Sequence, residues 1–600
     1  MLILKAENIC VELNGKEILS NASIEIHQGE HLALIGQNGI GKTTFLKAIL
    51  GELPLAGGTI SNRTKAEDWG WMAQSPYVPE GMTTRAFVEG EAPDRSQLRM
   101  ELQSLGHNLD TGQDTIDAYN HALQAYLDLD GYDWELTIEK QMTRCGLPEP
   151  LWELPFSNLS GGQKTRAQLA RVLAKGAKFL IFDEPTNHLD IETMDWLAKW
   201  IKGYQGAVLI VSHDRQFIDQ VAQFTYEITE EGTKRYTGGY AAYKKQKEHE
   251  RKAQESLYNK QEHEKKQLME AIQTYTQWFN KAHHAASERD PFAKKRANKN
   301  MTRFKAKEKA LERLEANRVQ KPKEESKLSV TFDEGTFSSS IMASFKAIRF
   351  SYGEKVIVDG ASFFLEKGDR LAIVGRNGSG KTTLLKLLAG NLQPAQGEIT
   401  RHPKLKIGYF MQELEALPLD DSILDYILSI PNMTQSEART ILACFLFPKE
   451  AVFKRIGDLS MGEKCRVAFV KLYFSQANLL VLDEPTNYLD IVTREQIEEA
   501  LQAYPGAIVV VSHDHYLLKR VANRVLSLDK GFDYFPGNYT EWQASTAVRD
   551  QNLELENEKR RLELLYTQLI AEELPDDENL KQEQLDKLRK VKQKLRQLEG

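Results

Sequence analysis

Two runs of residues in this chain have the make-up of a phosphate-gripping loop. Gly36-Gln-Asn38-Gly39-Ile-Gly41-Lys42-Thr43-Thr44 and Gly375-Arg-Asn377-Gly378-Ser-Gly380-Lys381-Thr382-Thr383 share one spacing. Glycines at these offsets let backbone N–H groups turn inward on a β-phosphate, and a helix N-terminus behind them favours negative charge. Lys42 and Lys381 then supply a cation between β- and γ-phosphates, while Thr43 and Thr382 offer a hydroxyl to Mg²⁺. Further along, Asp183-Glu184-Pro-Thr-Asn and Asp483-Glu484-Pro-Thr-Asn each set two carboxylates side by side. The aspartate, ending an apolar run, suits holding Mg²⁺ through water; the glutamate is a candidate general base for an attacking water. Ser212-His213-Asp and Ser512-His513-Asp place a histidine after a third strand, where it can clamp a γ-phosphate. Singly, an Asp-Glu pair or a histidine is more often structural; the ordered set occurring twice points to nucleotide hydrolysis.

Such loops need strands to deliver them. Leu32-Ala-Leu-Ile-Gly36 and Leu371-Ala-Ile-Val374 are short apolar runs of the buried parallel type, followed by helical Thr43–Leu50 and its repeat. Phe179–Phe182, Ala207–Val211, Leu479–Leu482 and Ala507–Val511 are further core strands of the same kind. The fold expected is α/β, with two tandem phosphate-loop domains. Lys42 to Lys381 is 339 residues, whereas Ser160 to Ser460, Glu184 to Glu484 and His213 to His513 are each 300, so the first copy carries 39 extra residues before Ser160. Gln74 to Gln412 is 338, which puts that insertion after Gln74, and a helical arm is expected within about 84–140. The boundaries expected are 1–240 and 326–544 for the two domains, 241–325 for a helical linker and 545–600 for a C-terminal helical extension.

A chain of 600 residues exceeds one hydrophobic core. No apolar run approaches the roughly 20 residues that span a bilayer, and the start lacks a signal-peptide pattern. A cytoplasmic protein with no membrane partner is expected. Cys10, Cys145, Cys444 and Cys465 stand singly, as free thiols do in a reducing compartment. The net charge of −7 is unevenly spread: residues 241–323 hold 22 Lys+Arg against 11 Asp+Glu, a net of +11 that leaves −18 elsewhere. Basic charge gathered in one segment of an acidic protein suits a polyanion.

That segment reads as two long helices. Leu268, Ile272, Tyr275 and Phe279 share one stripe, Phe304, Leu311 and Leu314 a facing one, and Pro291 marks the tip because it disfavours a helical Asp290. From Arg289 to Lys309 nine basic residues meet two acidic ones, with Phe292 and Phe304 interleaved. A lysine-rich helix is usually a solvated face; beside two nucleotide sites, RNA binding is the better reading. Trp278 and Phe279 could stack on a base, although packing within the hairpin explains them equally well. His283 and His284, adjacent on a helix, do not readily face one metal. Near the C-terminus, Leu562, Leu565 and Leu569 precede a turn at Pro575, and Leu588, Val591, Leu595 and Leu598 follow at heptad-like spacing.

Leu159-Ser160-Gly-Gly162-Gln163 and Leu459-Ser460-Met461-Gly462-Glu463, with the Asp-Glu-Pro-Thr-Asn runs, go beyond a generic phosphate-loop enzyme. They resemble the ATP-binding cassette family, with its signature motif, Q-loop glutamines (Gln74 and Gln412, additional Mg²⁺ ligands), D-loops (Leu189-Asp190 and Leu489-Asp490) and switch histidines. The resemblance implies head-to-tail pairing of the two cassettes within a monomer. Ser460 and Gly462 would complete the site of Lys42, Glu184 and His213; Ser160 and Gly162 would complete that of Lys381, Glu484 and His513. Tyr352 sits where the family stacks an aromatic on adenine, whereas the first copy has Leu13. Met461 replaces a signature glycine, so both departures fall in the site built on Lys42. Two cassettes separated by a basic hairpin look like the ABC-F subfamily. It implies ATP and Mg²⁺ as cofactors and the 70S ribosome as partner. The protein would enter the tRNA exit site, its linker reaching toward P-site tRNA, rRNA and the peptidyl-transferase centre. Within the subfamily the pattern is similar to the antibiotic-resistance branch, which protects the ribosome from drugs. A housekeeping translation factor, a DNA-binding repair ATPase and an importer subunit are the alternatives.

Overall fold

The computed structural model describes the chain except for residues 74–77, 108–112, 187–188, 286–290, 322–340, 448, 530, 547–588, 591 and 595–600, together with some side chains near the hairpin tip. Gln74 and the C-terminal leucine pattern from Leu562 to Leu598 therefore lie outside the described residues, as do the side chains of Phe279, His283, His284 and Phe292. The chain divides into two compact units, Met1–Val330 and Thr331–Gly600.

In the first unit a six-stranded sheet runs Gly70–Met72, Phe179–Asp183, Ala207–Val211, His31–Ile35, Phe224–Thr229, Gly232–Thr237 in spatial order. All neighbours are parallel except the last pair. His31–Ile35, Phe179–Asp183 and Ala207–Val211 are buried at every position, because a parallel sheet is covered on both faces. One face packs on a three-stranded antiparallel sheet, Lys16–His27, Leu2–Leu13 and Gly57–Asn62, through Leu4, Ile9, Phe45 and Ile181. The other packs on helices through Phe87, Trp134, Met142, Leu169 and Phe182. The second unit repeats the plan, with the sheet order Ile407–Tyr409, Leu479–Asp483, Ala507–Val511, Arg370–Val374, Arg524–Ser527, Asp533–Phe535.

The inserted stretch of the first unit contains Pro93–Gly106 and Gln113–Asp128, two helices packed on each other. Arg99, on the first, gives Nη2 to the fully buried Glu89 at 2.7 Å, and Arg85 Nε reaches the same carboxylate at 2.8 Å. A buried carboxylate held by two guanidiniums fixes the root of this arm, since either partner alone would leave charge uncompensated.

Helix Tyr240–Ala285 runs out of the first unit and Pro291–Ala316 returns beside it. Proline at the first helical position costs no hydrogen bond, so Pro291 can open the second helix. Leu268 is buried, with Ile272, Tyr275, Phe304, Leu311 and Leu314 half-buried. Lys265–Glu315 at 2.9 Å and Arg318–Glu262 at 3.0 Å tie the helices polar-side. Trp278 stays half exposed, its ring edge-on to Tyr275. Among the described residues no helix is long and apolar enough to cross a membrane. Cys145, Cys444 and Cys465 are buried free thiols; Cys10 is partly exposed.

Candidate functional site

In each unit the phosphate loop, the aspartate, the glutamate and the histidine sit at the C-terminal edge of the parallel sheet, where loops leave fully buried strands. Strand His31–Ile35 feeds the loop that ends at helix Lys42–Ile49. Gly41 adopts φ 99° and Gly380 φ 98°, left-handed values that a side chain would strain, and a Cβ on Gly41 would lie 3.2 Å from the Ile18 carbonyl oxygen. Gly39 and Gly378 are likewise left-handed. Lys42 Nζ folds back to the carbonyls of Gly36 at 2.9 Å and Gln37 at 3.1 Å. Lys381 does the same with Gly375 and Arg376, at 2.6 and 2.9 Å. Asn38 and Asn377 lie within the two loops, and Thr44 and Thr383 follow in the first helical turn.

The loop reaches the next strand through Thr43, whose hydroxyl donates to Asp183 at 2.9 Å; Thr382 bonds Asp483 likewise. Burial raises both aspartates from their ordinary value, against the lowering effect of the threonine bond and the nearby lysine. A buried carboxylate beside a hydroxyl and a lysine suits a hard cation that takes its other ligands from phosphate and water. Among the described residues no cluster of three or more His, Cys, Asp or Glu could hold a metal unaided. The residues thus fit a Mg²⁺–nucleotide, not a stand-alone metal centre.

Glu184 and Glu484 follow, and both take a left-handed backbone, φ 51° and 47°. Such values are uncommon for glutamate and recur at functional sites. Each is held by its N–H on the neighbouring strand, Glu184 to the Val211 carbonyl at 2.8 Å and Glu484 to that of Val511 at 2.9 Å. The turn aims the carboxylate at the switch histidine. His213 Nε2 lies 3.3 Å from Glu184 Oε1, and His513 Nε2 lies 3.6 Å from Glu484 Oε1. The backbone N–H groups of both histidines point at the same carboxylates. Burial, and then the charge of Asp483, pushes Glu484 up to about 8. A carboxyl poised near neutrality is what a general base needs.

Ser160 and Ser460 cap the helices Gly161–Ala174 and Met461–Tyr473, each in a reciprocal box with Gln163 or Glu463. Gly162 packs so closely on Thr193 that a Cβ would lie 3.1 Å from its hydroxyl. Gly462 occupies the same turn of the second helix, and Met461 beside it is half exposed. Tyr352 ends strand Ile341–Tyr352 with 52% exposure, and Leu13 ends the equivalent strand. Gln412 lies on helix Phe410–Glu415 with an exposed side chain. Within each unit, phosphate loop, aspartate, glutamate and histidine come together; each unit's signature serine stands at the start of a separate helix.

Sequence reasoning missed two features. Asp190 and Asp490 are helix N-caps, bonding the N–H of Thr193 at 3.0 Å and Thr493 at 2.9 Å. In the second unit Arg494 joins the D-loop to the switch loop, giving Nε to the Leu489 carbonyl at 3.0 Å and Nη1 to Asp514 at 3.6 Å. The first unit has Met194 at that position, and only the contrast between copies could have drawn attention to Arg494.

Two phosphate-loop cores of this topology, each with a capped signature helix and a Glu–His pair, define tandem ATP-binding cassette ATPases. Residues 19–187 and 358–487 match the ABC transporter family. The chain is 33% identical over 565 residues to the ATP-binding protein YdiF of Bacillus subtilis (strain 168), covering 93% of this chain and 84% of that one. It is 30% identical over 570 residues to ABC transporter F family member 5 of Arabidopsis thaliana, covering 92% of this chain and 79% of that one. It is also 30% identical over 540 residues to the energy-dependent translational throttle protein EttA of Escherichia coli O6:H1, with 88% and 92% covered. The fold is shared with an archaeal ribosome recycling factor solved with the archaeal ribosomal stalk protein, at TM-score 0.52 and 20% identity, covering 89% of this chain and 88% of that one. The chain belongs to the ABC-F family, and it is an ATPase.

Proposed function

We propose that this protein is an ATP-driven ribosome factor, in which closure of two cassettes over ATP sets the position of the basic hairpin. The observation that carries this reading is the coexistence in one chain of two complete Lys–Asp–Glu–His sets and a helical pair, Tyr240–Ala285 with Pro291–Ala316, whose charge is strongly basic. In each site the lysine would neutralise β- and γ-phosphate oxygens, threonine and aspartate would hold Mg²⁺, glutamate would accept the proton of the attacking water, and histidine would hold the γ-phosphate. Gln74 and Gln412 would add to the Mg²⁺ shell. Ser460 and Gly462 would serve Lys42, and Ser160 and Gly162 would serve Lys381, each a helix N-terminus aimed at anionic charge. Tyr352 would stack on adenine in the second site.

On the ribosome the protein would occupy the tRNA exit site, with the hairpin directed at P-site tRNA and the peptidyl-transferase centre. Its cellular output would be protection of that centre from bound drugs. A second reading, a translation factor that relieves stalled ribosomes, is favoured by the relative named as a translational throttle protein. Expression in a susceptible strain separates them. Raised inhibitory concentrations for drugs that bind the peptidyl-transferase centre support protection. Unchanged concentrations, with faster synthesis from stall-prone messages, support the translation factor.

A further inference from the structure

The first unit has a groove beside the edge of its six-stranded sheet. It is a cavity of about 610 Å³ at the far end of helix Lys42–Ile49 from the phosphate loop, bounded by Asn62, Arg63, Lys65, Trp71, Lys175 and Glu52. Trp71 lies on the edge strand Gly70–Met72, half-buried, packing against the core on one side and lining the groove. Trp69 holds the adjoining loop in place: its ring is buried edge-on against Phe179 and its indole N–H donates to Thr64 at 2.8 Å. The Arg63 N–H adds a bond to the Ile3 carbonyl at 3.1 Å. Arg63 and Lys65 are exposed, and among the described residues no ion pair engages either. Lys175, on the opposite wall, shares Glu91 with Arg171.

The equivalent positions of the second unit are filled differently. Asn62 and Arg401 end equivalent strands, paired with Leu4 and Ala343 respectively. Arg401 turns inward and gives its guanidinium to the carbonyls of Leu388 at 2.9 Å and Leu387, capping helix Lys381–Ala389. Asn62 is too short to do this. Tyr409 replaces Trp71 and is buried, and Ser475 replaces Lys175. The second unit keeps exposed lysines nearby, Lys404 and Lys406, so what the first copy adds is a half-buried tryptophan and Lys175.

We propose that this groove is a second RNA-binding site, in which Trp71 stacks on an unpaired base and Arg63, Lys65 and Lys175 take the flanking phosphates. A single strand is bound in just this way, by aromatic faces set in a basic track, because every base has a π-face. The groove opens at the negative, C-terminal end of a helix, which disfavours the concentrated charge of a nucleoside triphosphate. Phosphodiesters spread over separate cations meet less of that repulsion. The choice of RNA over other nucleic acid rests on the ribosomal reading above.

The test uses the full chain with Lys294, Lys295, Arg296, Lys299 and Arg303 changed to Ala, so that the hairpin does not mask the groove. The probe is a fluorescent mixed-sequence RNA of about twelve nucleotides, within the range such sites cover. Arg63→Ala with Lys65→Ala should flatten the log-affinity versus log-salt slope by about 1.4, two phosphates at roughly 0.7 each. Trp71→Leu should lower affinity at least about fivefold with the slope kept, and Trp71→Tyr should retain most of it. Thermal unfolding of each variant guards against loss of fold. Unchanged affinity and slope in all variants overturn the proposal. So does displacement of the probe by polyaspartate at equal charge with no effect of Trp71→Leu, which marks a mere polyanion or acidic-peptide surface. If the probe behaves as expected but the wild-type chain does not sediment with ribosomes, the groove stands and the ribosomal reading fails.

Discussion

Arg494 and Asp514 form a buried pair, 3.6 Å apart, that binds the D-loop of the second cassette to the loop carrying His513. Asp514 also caps helix His515–Val521, taking N–H bonds from Tyr516 and Leu517 at 2.9 and 3.2 Å. Breaking a buried pair usually costs about 3–5 kcal/mol. Because Asp514 keeps its capping bonds, Arg494→Met should cost about 2 kcal/mol of second-cassette stability. Methionine is what the first unit carries at the matching Met194, so the fold tolerates it. If the clamp aligns His513, kcat should fall severalfold with KM nearly unchanged. Unaltered steady-state kinetics would show that Arg494 only stabilises.

The two ATP sites should differ in turnover. Leu13 stands where Tyr352 offers a ring, and Met461 replaces a signature glycine; in the proposed pairing of the cassettes both would belong to the site that Glu184 would serve. Glu484→Gln should therefore reduce ATPase activity more than Glu184→Gln. Equal losses in single-variant assays would remove the asymmetry.

Glu484 has a testable pH signature. Its folded pKa, about 8, lies above the ordinary value of 4.5. Below 4.5 both folded and unfolded chains hold the proton, so the group contributes no pH dependence. Between 4.5 and about 8 the folded chain binds more protons, so stability falls as pH rises and then levels off. Glu484→Gln should abolish this slope and leave the nucleotide-free protein more stable than wild type at pH 8, by an amount on the order of a few kcal/mol. Denaturant titrations across that range measure it; parallel curves for both proteins would rule out the raised carboxyl.

Much of the site could be read from sequence because its parts are local. The Gly-Lys-Thr loop, the Asp-Glu pair after an apolar run and the Ser-His-Asp triplet each announce a strand end by composition, and the strands lie where those runs fall. The left-handed turn at Glu184 and Glu484 has no composition signal, since nothing distinguishes a glutamate that will be forced to positive φ. Arg494 was hidden because its partner is 20 residues away across a helix and a strand. The Trp71 groove brings together Asn62, Trp71 and Lys175 from separate elements, a relation visible only once strand order and register are known.

The hairpin should account for the salt dependence of ribosome binding. Changing Lys294, Lys295, Arg296, Lys299 and Arg303 to Ala should flatten the log-affinity versus log-salt slope by about 0.7 to 0.9 for each phosphate no longer neutralised. ATPase activity without ribosomes should barely change, since these residues lie on a helix outside both nucleotide sites. A variant that binds ribosomes with the same affinity and salt slope as wild type would return the hairpin to a solvated structural role.

If the proposed function holds, ATP closes the cassettes and commits the protein to the ribosome. Glu184→Gln with Glu484→Gln keeps Lys42, Lys381 and the Thr–Asp pairs while removing both candidate bases. Sedimentation of this variant with 70S ribosomes, with ATP and without it, reads that commitment directly. Hydrolysis should stop, and the protein should accumulate in the ribosome pellet only when ATP is present. Hydrolysis at the wild-type rate, or a pellet fraction indifferent to ATP, would show that nucleotide does not govern ribosome binding through these two glutamates.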